Sequence, residues 1–82
     1  MDWNDAMRMA EQRTDGARLP TRNESALLYA HLRESFDRSS WHWTSTRASG
    51  GAAWNQGFDD GYQDSDDLSF EARVRLVRRF AL

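Results

Sequence analysis

The 82-residue chain predicts a small α+β domain, with two helices packed on a small antiparallel β-sheet. Three observations predict it. Apolar residues recur at helical spacing as far as Phe36, and after Asp37 the period shortens to two. The later runs are separated by two turn signals, Ser49-Gly50-Gly51 and Asp60-Gly61. The length is that of a single domain, residues 1–82.

The first helix begins near Trp3, with Asp2 as its cap, and Trp3, Ala6, Met7 and Ala10 share one face. Asp15-Gly16 ends that segment. Leu19-Pro20 is extended, because the residue before proline is driven toward β geometry. Thr21-Arg22-Asn23-Glu24 is a capping box and opens the second helix. Its buried stripe is expected to be Ala26, Leu27, Leu28, Leu32 and Phe36, with Tyr29 alongside and the end near Phe36.

Trp41-His42-Trp43-Thr44-Ser45 alternates as a strand, with Trp41 and Trp43 on one face and His42 on the other. Ala53–Phe58 is a second strand, and Asp60-Gly61 a hairpin turn that tolerates positive φ. Tyr62-Gln63-Asp64 starts the returning strand, which Ser65-Asp66-Asp67 is expected to break into a loop. The last element, Glu71 to Phe80, reads as a strand with Val74 and Leu76 inward and the arginines outward. Val77 falls out of register.

Composition excludes several classes. With no cysteine, disulfides, zinc–thiolate sites and cysteine nucleophiles are ruled out. All 11 basic residues are arginine and are outnumbered by 13 acids, against the basic surplus of a nucleic-acid binder. No apolar run approaches the length of a membrane span, and Met1-Asp2-Trp3-Asn4-Asp5 has acids where a signal peptide is basic.

In order along the chain, Trp3-x-x-Ala6, Leu19-Pro20-Thr21-x-x-Glu24, Trp41-x-Trp43-Thr44-Ser45-Thr46, Ala53-Trp54-x-x-x-Phe58-x-x-Gly61 and Arg73-Val74-Arg75-x-Val77-Arg78 form a pattern. It resembles the C-terminal domain of collagen-like bacterial adhesins, found also in small phage and prophage proteins. The resemblance implies a shortened C-type-lectin-like fold. That fold starts with a strand paired to the last one, whereas only Met1-Asp2 precedes Trp3. A sheet edge is therefore expected to be uncovered, open to a partner strand or a second copy. The formylglycine-generating enzymes share the fold and a similar Leu-Pro-Thr-x-x-Glu piece, but their chemistry needs cysteine. The expectation is a protein that is not an enzyme, with no catalytic residues, cofactor or metal.

The remaining constellations have plain structural readings beside their functional ones. Trp3-Asn4-Asp5 spells a calcium-binding tripeptide of true C-type lectins, but it lies at a helix start, where acids favour the dipole. Asp59-Asp60-Gly61-x-x-Asp64-x-Asp66-Asp67 reads as a solvated hairpin and loop, or else as a cation site or an acidic patch for a basic partner. The strand tryptophans read as core rather than sugar platforms, and His31 and His42 as structural or surface residues. Ser49-Gly50-Gly51 lacks the helix and lysine of a phosphate loop.

The function expected is a non-catalytic protein-binding module of phage or mobile-element origin, acting in the host cytoplasm or on a virion. Its specific form is an inhibitor of a host defence complex, seated on a basic nucleic-acid groove by charge complementarity. The candidate recognition residues are Arg47, Tyr62, Gln63, Asp64, Asp66 and Asp67. No direct contact with nucleic acid or membrane is expected. A glycan-binding adhesin-type module is the alternative, and it requires an exposed aromatic beside a polar pocket.

Overall fold

A computed structural model describes residues 1–36 and 39–78. Helix α1 (Trp3–Glu11), helix α2 (Arg22–Leu32) and a short 3-10 turn (Arg33–Ser35) precede strands β1 (Trp41–Ala48), β2 (Ala52–Gly57) and β3 (Gln63–Asp67). The strands form one antiparallel sheet in the order β1-β2-β3. The small α+β fold expected from the sequence is therefore the one observed.

Both helix starts follow from local chemistry. The Asp2 carboxylate accepts the Asp5 amide at 2.9 Å. At α2 the Thr21 hydroxyl accepts the Glu24 amide at 3.2 Å, and the Glu24 carboxylate accepts the Thr21 amide at 2.8 Å. Glu24 also takes both guanidinium nitrogens of Arg18, at 2.5 and 2.6 Å. Arg18 and the Thr21 amide together hold the Glu24 carboxyl at about 2, below its ordinary 4.5. Because the folded value is the lower one, this stabilisation is complete above pH 4.5 and is lost as pH falls toward 2. Glu24→Gln is expected to cost about 1 kcal/mol at pH 7, since the pair is partly exposed and the cap is weakened. In a thermal melt series the variant should also show a shallower fall in midpoint between those two pH values. An unchanged acid limb would contradict the assignment.

The two faces of the sheet carry different cover. Alternation and register place Trp41, Trp43, Ala53, Asn55 and Gly57 on one face. Trp3 and Ala6 of α1, Leu19 and Ala72 pack with Trp43 and Ala53 there, with Leu68, Val74 and Leu76 at the margin. The opposite face carries His42, Thr44, Trp54, Gln56 and Phe58, and α2 and its 3-10 turn lie against it. Phe36 stacks on Phe58 at 4.1 Å, His42 meets both rings edge-on, and Arg22 lies 3.5 Å over Trp54.

A bulge in β1 ties both helices to the sheet. Five residues of β1, Trp43 to Arg47, lie opposite three of β2, Asn55 to Ala53. The extra length turns Thr44 and Thr46 out of the ladder. The Thr44 hydroxyl donates to the Trp54 carbonyl at 2.7 Å in place of a backbone bond. The Thr44 carbonyl accepts the Trp3 indole at 2.9 Å, and the Thr46 hydroxyl accepts the Arg22 amide at 2.9 Å.

Three expectations need correction. In α2 the buried residue is Ser25, with Leu28 and Tyr29 half-buried, while Ala26 is exposed and Leu27 and Leu32 are 61% and 50% exposed. The tethers at Arg22 and the capping box set the helix phase, and they turn the small Ser25 toward the sheet. Ser65, Asp66 and Asp67 do not break the strand: they pair with Trp54, Ala53 and Ala52. Pairing with β2 overrides the poor strand propensity of aspartate, because the carboxylates remain solvated on an edge. The segment from Glu71 forms no regular strand among the described residues, and Arg79 and Phe80 lie outside them. It makes isolated bridges, Arg73 to His42 and Val77 to Arg18, because it leaves the β1 edge to reach the chain before α2. Val74 and Leu76 are half-buried and Arg73 and Arg75 exposed, as the alternation requires.

Candidate functional site

Among the described residues, the sheet has one covered edge and one bare edge. Along β1, the Trp43 amide donates to Arg73, the Arg73 amide to Trp41, and the Ser45 amide to Pro20. Met1 and Ala72 exchange both backbone bonds, at 2.9 and 3.0 Å, so the last segment is covered there as well. β3 is the other edge. The bonded pairs Gly57–Tyr62 and Gly51–Leu68 fix the phase of the ladder, so Asp64 and Asp66 turn their backbone groups toward β2. Gln63, Ser65 and Asp67 turn theirs outward. Their amides and the carbonyls of Gln63 and Ser65 have no backbone partner among the described residues, apart from the Ser65 amide bonding the Asp64 carboxylate at 2.8 Å.

The six candidate recognition residues divide between the two faces. Cross-strand rows run Trp41–Gly57–Tyr62, Trp43–Asn55–Asp64 and Arg47–Ala53–Asp66. Tyr62, Asp64, Asp66 and Arg47 therefore share the α1 face, with Arg47 lying 5.2 Å over the Trp3 ring. Gln63 and Asp67 lie on the α2 face. Gln63 is committed to structure: its amide donates to the Arg22 and Gln56 oxygens, and its oxygen accepts from Arg22 Nε at 2.9 Å. Asp66 accepts from the buried Asn55 amide at 2.6 Å. The Ser69 amide, seconded by its hydroxyl, lowers the Asp67 carboxyl below its ordinary value. Asp64 is exposed and among the described residues bonds only its neighbour's amide, which leaves its charge directed to solvent.

The acids at 59, 60, 64, 66 and 67 share their stretch with no basic residue. Because β3 splits them between faces, no group of three or more His, Asp or Glu among the described residues is placed to hold a metal ion. His42 is buried between Phe36 and Phe58, whereas His31 is exposed on α2, so the two histidines share no site. Among the described residues no helix is long and apolar enough to cross a membrane.

One feature of the surface escapes a reading of spacing alone. At the turn end of β3, Trp41 and Tyr62 meet edge-on across Gly57, at 6.1 Å and 74°. They border a cleft of about 110 Å³ that includes Asp59 and Asp60. The signal for it was Gly57 inside a strand, since such a glycine marks close approach of another group. A Cβ there would lie 3.3 Å from the Trp41 ring and 3.4 Å from the Asp59 carboxylate. Comparison with family models, curated proteins and solved structures finds no match for the chain.

Proposed function

We propose that this protein is a non-catalytic protein-binding module that recognises a basic partner along the bare edge of β3. The observation that carries the reading is an edge strand with open backbone groups and acids at 64, 66 and 67. An open edge can pair with an extended segment of another chain. Carboxylates beside that edge oppose pairing with a second β3, because like charges placed across strands repel. The same charges attract an arginine- or lysine-rich segment and speed its encounter. The specific form is an inhibitor of a host defence complex, supported by the acidic edge and by the resemblance to phage-encoded chains. A glycan-binding module is the second reading, favoured by the exposed Tyr62 beside Trp41.

The test is binding of a labelled peptide with alternating arginine and valine, followed by fluorescence anisotropy. Wild-type protein should bind it with an affinity that falls as salt rises. Asp64→Arg should weaken binding at least about tenfold, the worth of about 1.4 kcal/mol. Asp64 is the cleanest position, because Asp66 and Asp67 also hold Asn55 and Ser69 in place. Equal binding by the two proteins would overturn the reading.

A further inference from the structure

The geometry points to a site for one arginine side chain in the cleft between Trp41 and Tyr62, with Asp59 and Asp60 pairing its charge. This deepens the proposed recognition of a basic partner and rests on it. Arginine stacking on aromatic rings is used repeatedly within the chain itself. Arg22 lies over Trp54, Arg33 over Tyr29, Arg47 over Trp3 and Arg75 over Phe36, at 3.5 to 5.4 Å. Trp41 and Tyr62 carry no such arginine among the described residues, although Tyr62 is 58% exposed and Trp41 half-buried. Asp59 and Asp60 line the same cleft as this pair. A cation over an aromatic face gains from the ring quadrupole, and a carboxylate at its edge adds a charge-assisted hydrogen bond.

The turn orients both acids. Asp59 Oδ1 accepts the Asp60 amide at 2.8 Å, and Asp60 Oδ1 accepts the Tyr62 amide at 3.0 Å. The second oxygen of each has no protein donor among the described residues. Charge and size favour the occupant: a protein cavity of roughly 150 Å³ takes benzene, so a cleft of about 110 Å³ lined by two carboxylates accommodates a planar cationic head such as guanidinium. Tyr62 leads directly into β3, so an arginine seated here would place the residues that follow it along Asp64 and Asp66.

The experiment is a titration of the whole protein with N-acetyl-arginine methylamide, read from the Trp41 indole resonance by NMR. The resonance should shift saturably, with a dissociation constant in roughly the millimolar range expected of a single side chain. Tyr62→Leu and the double change Asp59→Asn with Asp60→Asn should each weaken binding at least about fivefold, with the remaining amide spectrum unchanged. Gly57→Ala, which adds a methyl between Trp41 and Asp59 and removes no recognition group, should abolish it. If that variant does not fold, the exposed Tyr62 change alone decides. An unmoved Trp41 resonance, an equal shift with methyl glucoside, or undiminished binding by Tyr62→Leu would each overturn the assignment. If the arginine–valine peptide perturbs Gln63–Asp67 and leaves Trp41 unmoved, the edge reading stands and the cleft assignment falls.

Discussion

Trp43→Ala is expected to remove about 3–5 kcal/mol of stability. The indole is 1% exposed and sits among Trp3, Leu19, Ala53 and Ala72. It meets Phe70 edge-on, and its Nε1 donates to the Met1 carbonyl at 3.0 Å. Removing it deletes the largest fully buried side chain of the α1 face and loosens the cover that joins Met1, α1 and the segment after Phe70. A domain of this length has a total stability of roughly 4–12 kcal/mol. The variant should therefore lose between about a quarter and all of the domain's stability and unfold in markedly less denaturant. Urea titration followed by circular dichroism measures this, and a loss below about 1.5 kcal/mol would contradict the central place given to Trp43.

The second large effect is expected at the hairpin turn. Gly61 has φ +80°, and a Cβ there would lie 2.5 Å from the Tyr29 ring. Gly61→Ala meets two costs. The left-handed backbone disfavours a side chain by roughly 1–2 kcal/mol, and crowding adds a typical 1–3 kcal/mol, for a total of about 2–5 kcal/mol. The ring cannot move freely, because Tyr29 also packs on Phe58 at 6.2 Å. Gly50 is the comparison: its φ is +72° but nothing stands within 4 Å, so Gly50→Ala should carry the backbone cost alone. Chemical denaturation of both variants, with Tyr29→Ala as the second arm of a cycle, separates the two costs. Equal losses at Gly50 and Gly61 would show that the contact with Tyr29 is not limiting.

The features readable in the sequence were local ones. The Asp2 cap, the capping box at Thr21 and Glu24, the alternation from Trp41 and the Asp60-Gly61 turn each depend on residues a few positions apart, and each is present. Features that depend on distant partners leave no local signal. Ser65-Asp66-Asp67 has poor strand propensity and becomes strand only because β2 supplies the ladder. The spacing predicts an apolar stripe on α2 of Ala26, Leu27, Leu28, Leu32 and Phe36, whereas Arg22 on Trp54 and Phe36 on Phe58 fix the helix phase from outside and leave Leu27 and Leu32 exposed. The period of two predicts one strand from Glu71 to Phe80. Its bridges go to two separated places, His42 and Arg18.

The candidate site divides in the same way. The acids and Tyr62 were visible as a charge run with an aromatic at its head. Register alone reveals that Arg47, Asp64, Asp66 and Tyr62 share a face while Gln63 and Asp67 lie on the other. Gln63 bonds Arg22, a residue 41 positions away, which no local pattern could disclose. The meeting of Trp41 with Tyr62 across Gly57 likewise needs three strands in register.

The central claim is recognition of a basic chain by the open edge of β3. The most direct test is amide hydrogen exchange on the protein with and without the arginine–valine peptide, resolved residue by residue. The Gln63, Ser65 and Asp67 amides face outward, so pairing with an added strand should slow their exchange. The inward Asp64 and Asp66 amides should change little. Slowing at Gln63, Ser65 and Asp67 that disappears in Asp64→Arg is the predicted result. Tight peptide binding that leaves those three amides unprotected would contradict it.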